Sequence, residues 1–314
     1  MGKRGPRRGS RSFWHRGRAS RITPRVRSWG KQGGMQGFPA FKAGMAQALV
    51  VEDDASPFKG QEVIWPITVL EVPPVFVYAI ELWEKTPYGL KSLTQIDSKT
   101  HPKQLNRVYT PAKKEKNASE EFKKFEQRIA EVRLLCCTQP WKISLKKNPD
   151  VFEVALGGSV EEQKAKALDL LGKEINAKDV FSDGEVVDAI AVTKGKGWSG
   201  VVKRYGVSLN IRKASQSRRH GGSIGPERQA KVMYTIPRAG QHGFQKRVDR
   251  GKRIVKISEE FKGMRFFDNY GLVHGSFIAL KGSVPGPAKR FVLLRKQVFS
   301  QPQAKAVEVK QLIA

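Results

Sequence analysis

KGKGWSGVVKRYG, residues 194–206, opens a stretch that closes with RAGQHGFQKRVDRGKRIVKI, residues 238–257. Between Lys194 and Lys256 stand 17 Lys and Arg against two acids, Glu227 and Asp249. A Gly-punctuated segment of that polarity reads as a long loop with no core of its own, ordered only by a polyanion. Folding is then left to the chain on either side. VVDAIAVT before the stretch has strand character, and MRFFDNYGLVHGSFIALKGSVPGPAKRFVLLRKQV after it reads as short strands and turns. The fold is therefore a β-structure that the basic segment interrupts and the C-terminal part completes.

The charge is concentrated. Residues 1–31 add 11 Lys and Arg with no acid, so these two stretches carry +26 of the formal +29, and the other 220 residues are almost balanced. Such a distribution suits a protein that lies along a polyanion. No apolar run reaches the roughly 18 residues of a membrane span; the best candidate, Ile67 to Ile80, is broken by Glu71, Pro73 and Pro74. The N-terminus lacks the apolar stretch of a secretory signal, and Gly5, Pro6, Gly9, Gly17 and Pro24 would interrupt the helix of a transit peptide. Adjacent Cys136 and Cys137 have no second pair for a zinc site; they read as buried helix positions in a reducing cytosol.

Taken in order, residues 1–37 form a basic arm, disordered alone, in which Phe13, Trp14 and Trp29 can stack or plug apolar gaps. PAFKAGMAQALVVED, EVIWPITVLEV, VFVYAIELWEKT and GLKSLTQI then follow as strands with Pro and Gly turns, which suits a barrel or a sandwich. Residues 38–99, 180–193 and 257–314 are assigned to this β-body, and 100–179 to a mixed helical insertion. In the insertion Phe122, Phe125, Ile129 and Val132 are spaced as one face of a helix over Glu120 to Cys137. VFEVALGG reads as a strand. Ser159 and Glu162 form a capping box for a second helix with Val160, Ala167, Leu168 and Leu171 as its apolar stripe. Residues 194–256 are the basic loop extension.

Gly195, Gly197 and Gly200 spell GxGxxG, and Val202 extends it to the GxGxxGxV of a kinase loop. A dinucleotide site needs a helix next and an acid about 20 residues on; VVKRYGVSLNI is β-branched and basic, and Arg219-His220 stand near the acid's place. No HRD or DFG follows for a kinase. The glycines are better read as letting backbone approach phosphate closely. His15, His101, His220, His242 and His274 have no metal-ligand spacing, and the carboxylate pairs Asp53-Asp54 and Glu161-Glu162 fall in turn and helix-start contexts. No cofactor, no metal and no catalytic group is assigned. DNA is disfavoured because no helix-turn-helix, zinc finger or basic zipper occurs, whereas irregular RNA accepts extended arms.

In order and spacing, KGKGWSGVVKRYG, RRHGGSIGP and RAGQHGFQKR resemble the basic loop of the L-three family of large-subunit ribosomal proteins. FPAFKAGMAQALVVED resembles that family's first barrel strand, and GSVPGPAKRFVLLR its C-terminal turn and last strand. The arm before Phe38 and the helical insertion are similar to the archaeal type. The resemblance implies a mostly β fold with an α+β insertion: a six-stranded translation-protein-type barrel with a long RNA-penetrating arm and loop. It implies binding to large-subunit rRNA near its 3′ domain, with extensions reaching toward the peptidyl transferase centre, contacts to neighbouring ribosomal proteins, a role in early subunit assembly, no catalysis and a cytoplasmic location. After Gly225-Pro226, where relatives commonly carry Trp, this chain has Glu227. The expected rRNA-binding residues are Arg16, Arg18, Arg21, Arg25 and Arg27 of the arm; Lys194, Lys196, Trp198, Lys203 and Arg204; Arg212, Lys213, Arg218, Arg219, His220 and Arg228; and Arg238, Gln241, His242, Lys246 and Arg247. An RNA-modifying or RNA-cleaving enzyme built on the same loop, or a free nucleic-acid chaperone, is the rival class.

Charge at this density makes a prediction about salt. Log affinity for large-subunit RNA should fall linearly with log salt, by about 0.9 per phosphate neutralised on duplex and about 0.7 on single strands. Filter binding across a salt series measures the slope; a nearly flat line would show that the basic side chains are not at phosphates.

Overall fold

The strand Gly37–Val51 is the longest in the protein, at 15 residues, and the main sheet is wound around it. The computed structural model describes residues 14–53, 55–112, 114, 116–215, 217–259, 266–299 and 306–313. They fall into two compact units, one from the ranges 1–21 and 192–246, the other from 22–191 and 247–314. Phe13 and Asp54 lie outside the described residues.

In the larger unit Gly37–Val51 pairs with Glu62–Glu71, which pairs with Phe277–Lys281, which pairs with Lys246–Ser258. Lys246–Ser258 neighbours Val186–Val192, and Phe291–Lys296 joins Val186–Val192 back to Gly37–Val51. The circuit of six strands thus returns to its start, and a closed circuit leaves no hydrogen-bonding edge open. Gly37–Val51 is long enough for two partners on one side: its first residues meet Phe291–Lys296, and its last meet a seventh strand, Val309–Ile313.

Period-two alternation divides the apolar side chains of these strands. Ile254, Ile278 and Leu280 join one core with Phe38, Phe41 and Phe291, whereas Val255, Phe277 and Ala279 join another with Ile67 and Val69. These strands are therefore apolar on both faces, which is why the sequence shows near-continuous runs such as FVLL, residues 291–294.

The strand that closes the circuit carries a buried ion pair. Arg295 lies directly opposite Asp188 in register; their side chains are 5% and 1% exposed. The guanidinium also donates to the Ser28 carbonyl at 2.7 Å and its hydroxyl at 3.1 Å, while Asp188 accepts from the Gly251 N–H at 3.3 Å. On the other side Arg295 faces Gly37. A Cβ on Gly37 would meet the Leu294 carbonyl oxygen at 2.7 Å and the Trp29 ring at 3.1 Å, so only glycine admits this close approach.

A second sheet runs in the order Gly34–Met35, Val151–Gly157, Glu131–Thr138, Val75–Thr86, Gly89–Asp97, with Glu174–Ile175 also on Val75–Thr86. It shares the first core: the Phe152 ring lies 5.7 Å from that of Phe291. Several sequence expectations change here. Val75–Thr86 and Gly89–Asp97 pair within this sheet and not in the closed circuit, because alternation identifies a strand but not its partner. The helix expected over Glu120 to Cys137 stops at Lys124, and Glu131–Thr138 is a strand. Val132, Leu134 and Cys136 fit a period of two as well as 129 and 132 fit a helix, and pairing on both sides decides. Cys136 and Cys137 are accordingly buried strand residues; desolvation pushes the Cys136 thiol well up and that of Cys137 to about 12.

The second helix, Val160–Leu170, starts where expected, with the Ser159 hydroxyl accepting from the Glu162 N–H. Its buried face, however, is Ala167 and Gln163, and Leu168 is exposed. Gln163 is buried at no loss because it accepts from the Val132 N–H at 3.0 Å and donates to the Gly158 carbonyl at 3.0 Å. Two boundaries also move. Lys246–Ser258, expected within the basic loop, is a strand of the circuit, and its alternating Ile254 and charged neighbours explain why charge alone concealed it. The arm expected to run to residue 37 puts Val26 and Met35 in the core.

Removing one member of the buried pair leaves the other charged and unpartnered, a loss of about 3–5 kcal/mol. Arg295→Met should destabilise by that order in denaturant unfolding, and Asp188→Leu combined with Arg295→Met should recover most of it. Equal losses in the single and double variants would show that the ion pair is not the cause.

Candidate nucleic-acid interface

The smaller unit departs from the strand Val186–Val192 and returns at Lys246–Ser258. Its base is a two-stranded hairpin, Gly195–Ser199 against Gly240–Gly243, with Trp198 opposite Gln241. Below it the Thr193 N–H donates to the Gln245 carbonyl at 3.0 Å and the Gln245 N–H to the Thr193 hydroxyl at 3.2 Å. Gly243 is the tightest point. Its φ is +70°, and a Cβ there would stand 2.1 Å from the Lys194 carbonyl oxygen, so the turn requires glycine.

A short helix, Val201–Tyr205, follows the glycines and ends at left-handed Gly206. The sequence reading expected no helix after the GxGxxG pattern. At five residues this one is a single turn between a hairpin and an exposed loop, with no parallel strand beyond it, so the βαβ frame of a dinucleotide site is still missing. Its last turn turns Arg204 inward. The Arg204 guanidinium donates to the Arg238 carbonyl at 2.8 Å and the Gln241 carbonyl at 3.0 Å, and so ties the two sides of the base together.

The start of the described arm locks onto this helix. Arg16 donates to the Arg204 carbonyl at 3.1 Å and lies 4.3 Å above the Tyr205 ring. Trp14 meets Tyr205 at 5.5 Å and Tyr234 edge-on at 6.0 Å, and His15 stacks on Tyr234 at 5.1 Å. The Ala19 N–H donates to the Phe244 carbonyl at 2.8 Å. Trp14, expected to stack or to plug an apolar gap, therefore packs on Tyr205, which is buried. The extension also holds packed pieces of its own, where the sequence suggested a segment without any.

With Arg16 and Arg204 occupied by backbone and ring, other cations remain outward. Lys194, Lys196, Lys203, Arg212, Lys213, Arg218, Arg219, His220, Arg228 and Arg238 are exposed, as are Arg18 and Arg21. Arg218 turns partly back on the loop, with Nε donating to the Asn210 carbonyl at 3.4 Å. In 14–21 and 192–246 there are 15 Lys and Arg against the single acid Glu227, which starts a 3-10 turn, Glu227–Gln229, after Pro226. Trp198 is 80% exposed beside Lys196. With one acid for 15 cations, the like charges repel one another, a repulsion that a polyanion relieves.

His242 registers that field. Burial first, then Lys196, Arg16, Lys203 and Arg204, hold its imidazole below the usual range, and its Nδ1 is buried without a partner. Both causes favour the neutral ring. Gln241 turns back on its own strand, donating to the Gly243 carbonyl at 3.1 Å. Of the remaining expected residues, Arg25 and Arg27 belong to the larger unit, where Arg25 pairs with Glu153 at 3.4 Å. Lys246 and Arg247 open the strand Lys246–Ser258. The holding roles of Arg16, Arg204 and Tyr205 had no sequence signal beyond residue type, because the partners lie up to 188 residues apart.

Fold and site together define a class: β-sheet proteins that carry a cationic, aromatic-braced extension for a polyanion. The comparison with known proteins makes it specific. The family described as Ribosomal protein L3 matches residues 1–312. The chain is 44% identical over 309 residues to the large ribosomal subunit protein uL3 of Methanococcus maripaludis (strain C5), covering 95% of this chain and 92% of that one. It is 42% identical over 308 residues to uL3 of Methanothermobacter thermautotrophicus, covering 93% and 91%, and 40% over 319 residues to uL3 of Methanocaldococcus jannaschii, covering 98% and 95%. The chain belongs to the ribosomal protein L3 family.

Gly243→Ala should dislodge the hairpin while sparing the larger unit. Limited proteolysis without RNA should then cut faster within 194–242, RNA affinity should drop, and the main unfolding transition should stay in place. Unchanged cleavage would mean that the base tolerates a side chain there.

Proposed function

We propose that this chain is a structural constituent of the large ribosomal subunit, with large-subunit rRNA as its principal partner and neighbouring ribosomal proteins as further ones. Its place is then the cytoplasmic ribosome. Among the described residues no helix is long and apolar enough to cross a membrane. The observation that carries the reading is the smaller unit, with its 15 basic side chains and one acid, in a chain that belongs to a ribosomal family along nearly its whole length. The role is architectural: the family relation supports it, and nothing favours an RNA-modifying or RNA-cleaving activity.

In this reading the closed six-strand circuit is the translation-protein-type barrel of the family. It sits at the subunit surface near the 3′ domain of the rRNA, and the extension reaches inward toward the peptidyl transferase centre. Lys196, Lys203, Arg212, Lys213, Arg219, Arg228 and Arg238 neutralise phosphates, and Trp198 offers a face to a base. Arg16 and Arg204 act one step back, by holding the base of the extension in shape. Residues 1–21 and 194–245 contribute reach and charge during early assembly.

Replacing residues 208–235 by a short Gly-Ser connector tests this, since closing a flexible loop changes stability only slowly with its length. The larger unit should unfold as in the parent, and the tagged variant should still sediment with large subunits, with a smaller salt slope. Those subunits should assemble late or transfer peptide slowly. Parent protein absent from large subunits on a gradient would overturn the reading.

A further inference from the structure

The hairpin of Val75–Thr86 and Gly89–Asp97 ends in a two-residue turn, Pro87-Tyr88, far in sequence from both basic stretches. Thr86 pairs with Gly89 across the turn, and the Thr86 hydroxyl donates to the Gly89 carbonyl at 2.7 Å. Pro87 fixes its own φ, and Gly89 takes φ +117°, a value that side-chain-bearing residues avoid. The turn is thus held firmly, and its side chain is the most exposed large hydrophobic one among the described residues: Tyr88 reaches 102% of full exposure.

Its neighbours give that ring a chemical context. Lys85 and Lys91 flank it, both exposed, and Leu90 is 41% exposed opposite Lys85. The nearby acid, Glu84, is clamped by both arms of Arg128 at 3.1 and 2.8 Å, so it does not offset the two lysines fully. A single exposed tyrosine needs no explanation. A rigidly presented one between two lysines, with the local carboxylate already engaged, matches how proteins hold unpaired bases: a flat ring for the base and cations for the flanking phosphates. A protein partner fits less well, because lysine is depleted at the core of protein interfaces.

We propose that this hairpin tip is a second RNA contact, independent of the basic extension, in which Tyr88 stacks on an unpaired base of the large-subunit RNA and Lys85 and Lys91 take adjacent phosphates. The inference rests on the ribosomal reading above and adds a separate contact to it. Stacking requires a ring but not the hydroxyl, so Phe substitutes for Tyr and Ala does not. Base–aromatic stacking of ordinary strength corresponds to roughly a 5- to 150-fold change in affinity on alanine substitution.

Two measurements on the full-length protein test it. In filter binding to large-subunit RNA, Tyr88→Ala should weaken binding at least about 5-fold, Tyr88→Phe should bind as the parent, and Lys85→Ser with Lys91→Ser should lower the salt slope by about 1.4, for two single-strand phosphates. Parent-like binding by Tyr88→Ala overturns the proposal. The second measurement is directed cleavage from an iron chelate tethered at Tyr88→Cys, compared with one at Arg212→Cys in the extension. The native Cys136 and Cys137 are fully buried, so each introduced thiol is the one labelled. Strand scission at a discrete RNA site from position 88, distinct from the site reached from position 212, is the expected result. Scission from 212 alone removes the hairpin contact and leaves the ribosomal reading standing; scission from neither removes both.

Discussion

A salt bridge with almost no access to water closes this protein. Asp188 and Arg295 sit opposite one another on the two strands that complete the six-strand circuit, and the pair draws in three further segments through Ser28, Gly251 and Gly37. Charges taken out of water need one another and further polar partners; here both terminal nitrogens of Arg295 are engaged, and its buried Nε has no partner among the described residues. Geometry at this point is therefore narrow: the strand must be in register, the segment before the first strand must supply the Ser28 oxygens, and position 37 must lack a side chain. An apolar pair of similar volume would hold the strands together but would not penalise a slip in register in the same way. Reading the pair as a register device explains why ionic groups occupy a site where Leu and Ile would pack.

Burial of both faces does the rest. The second sheet packs onto the circuit through Phe152 and Phe291, so a single core spans 39 buried residues drawn from both sheets. The smaller unit follows different physics. Few of its side chains are buried; it is held by two inward arginines, a cluster of rings and backbone bonds at its base, while its outward cations repel one another.

Much of this was legible from residue order. The long first strand, the strand pattern after it, the Ser159 cap and the segregation of charge follow from local rules, and the ordered run of basic motifs pointed to the right family. Pairing partners were not legible. Glu131–Thr138 looked like the tail of a helix because Val132 continues the helical spacing of Phe122, Phe125 and Ile129 while also starting the period-two run of Leu134 and Cys136, and Val75–Asp97 looked like part of the circuit because a strand's pattern does not say which neighbour it bonds. Lys246–Ser258 was hidden by its own lysines and arginines, of which Lys246, Arg250 and Lys256 are exposed and Arg253 is buried against Asp53, while Ile254 and Val255 enter the cores. In the site, exposed cations were predictable from composition, whereas the inward roles of Arg16, Arg204 and Tyr205 depend on contacts between distant segments.

The clasp of Arg16 on the Arg204 carbonyl joins points 188 residues apart, and that separation has a consequence in time. A chain made at about 5–20 residues per second exposes its arm roughly 10–40 s before the partner helix exists. For that interval Trp14, His15 and Arg16 face solvent with nothing to hold them, next to the protein's most cationic N-terminal run. Until residue 205 has emerged, the basic charge of the arm is thus open to any polyanion the nascent chain meets.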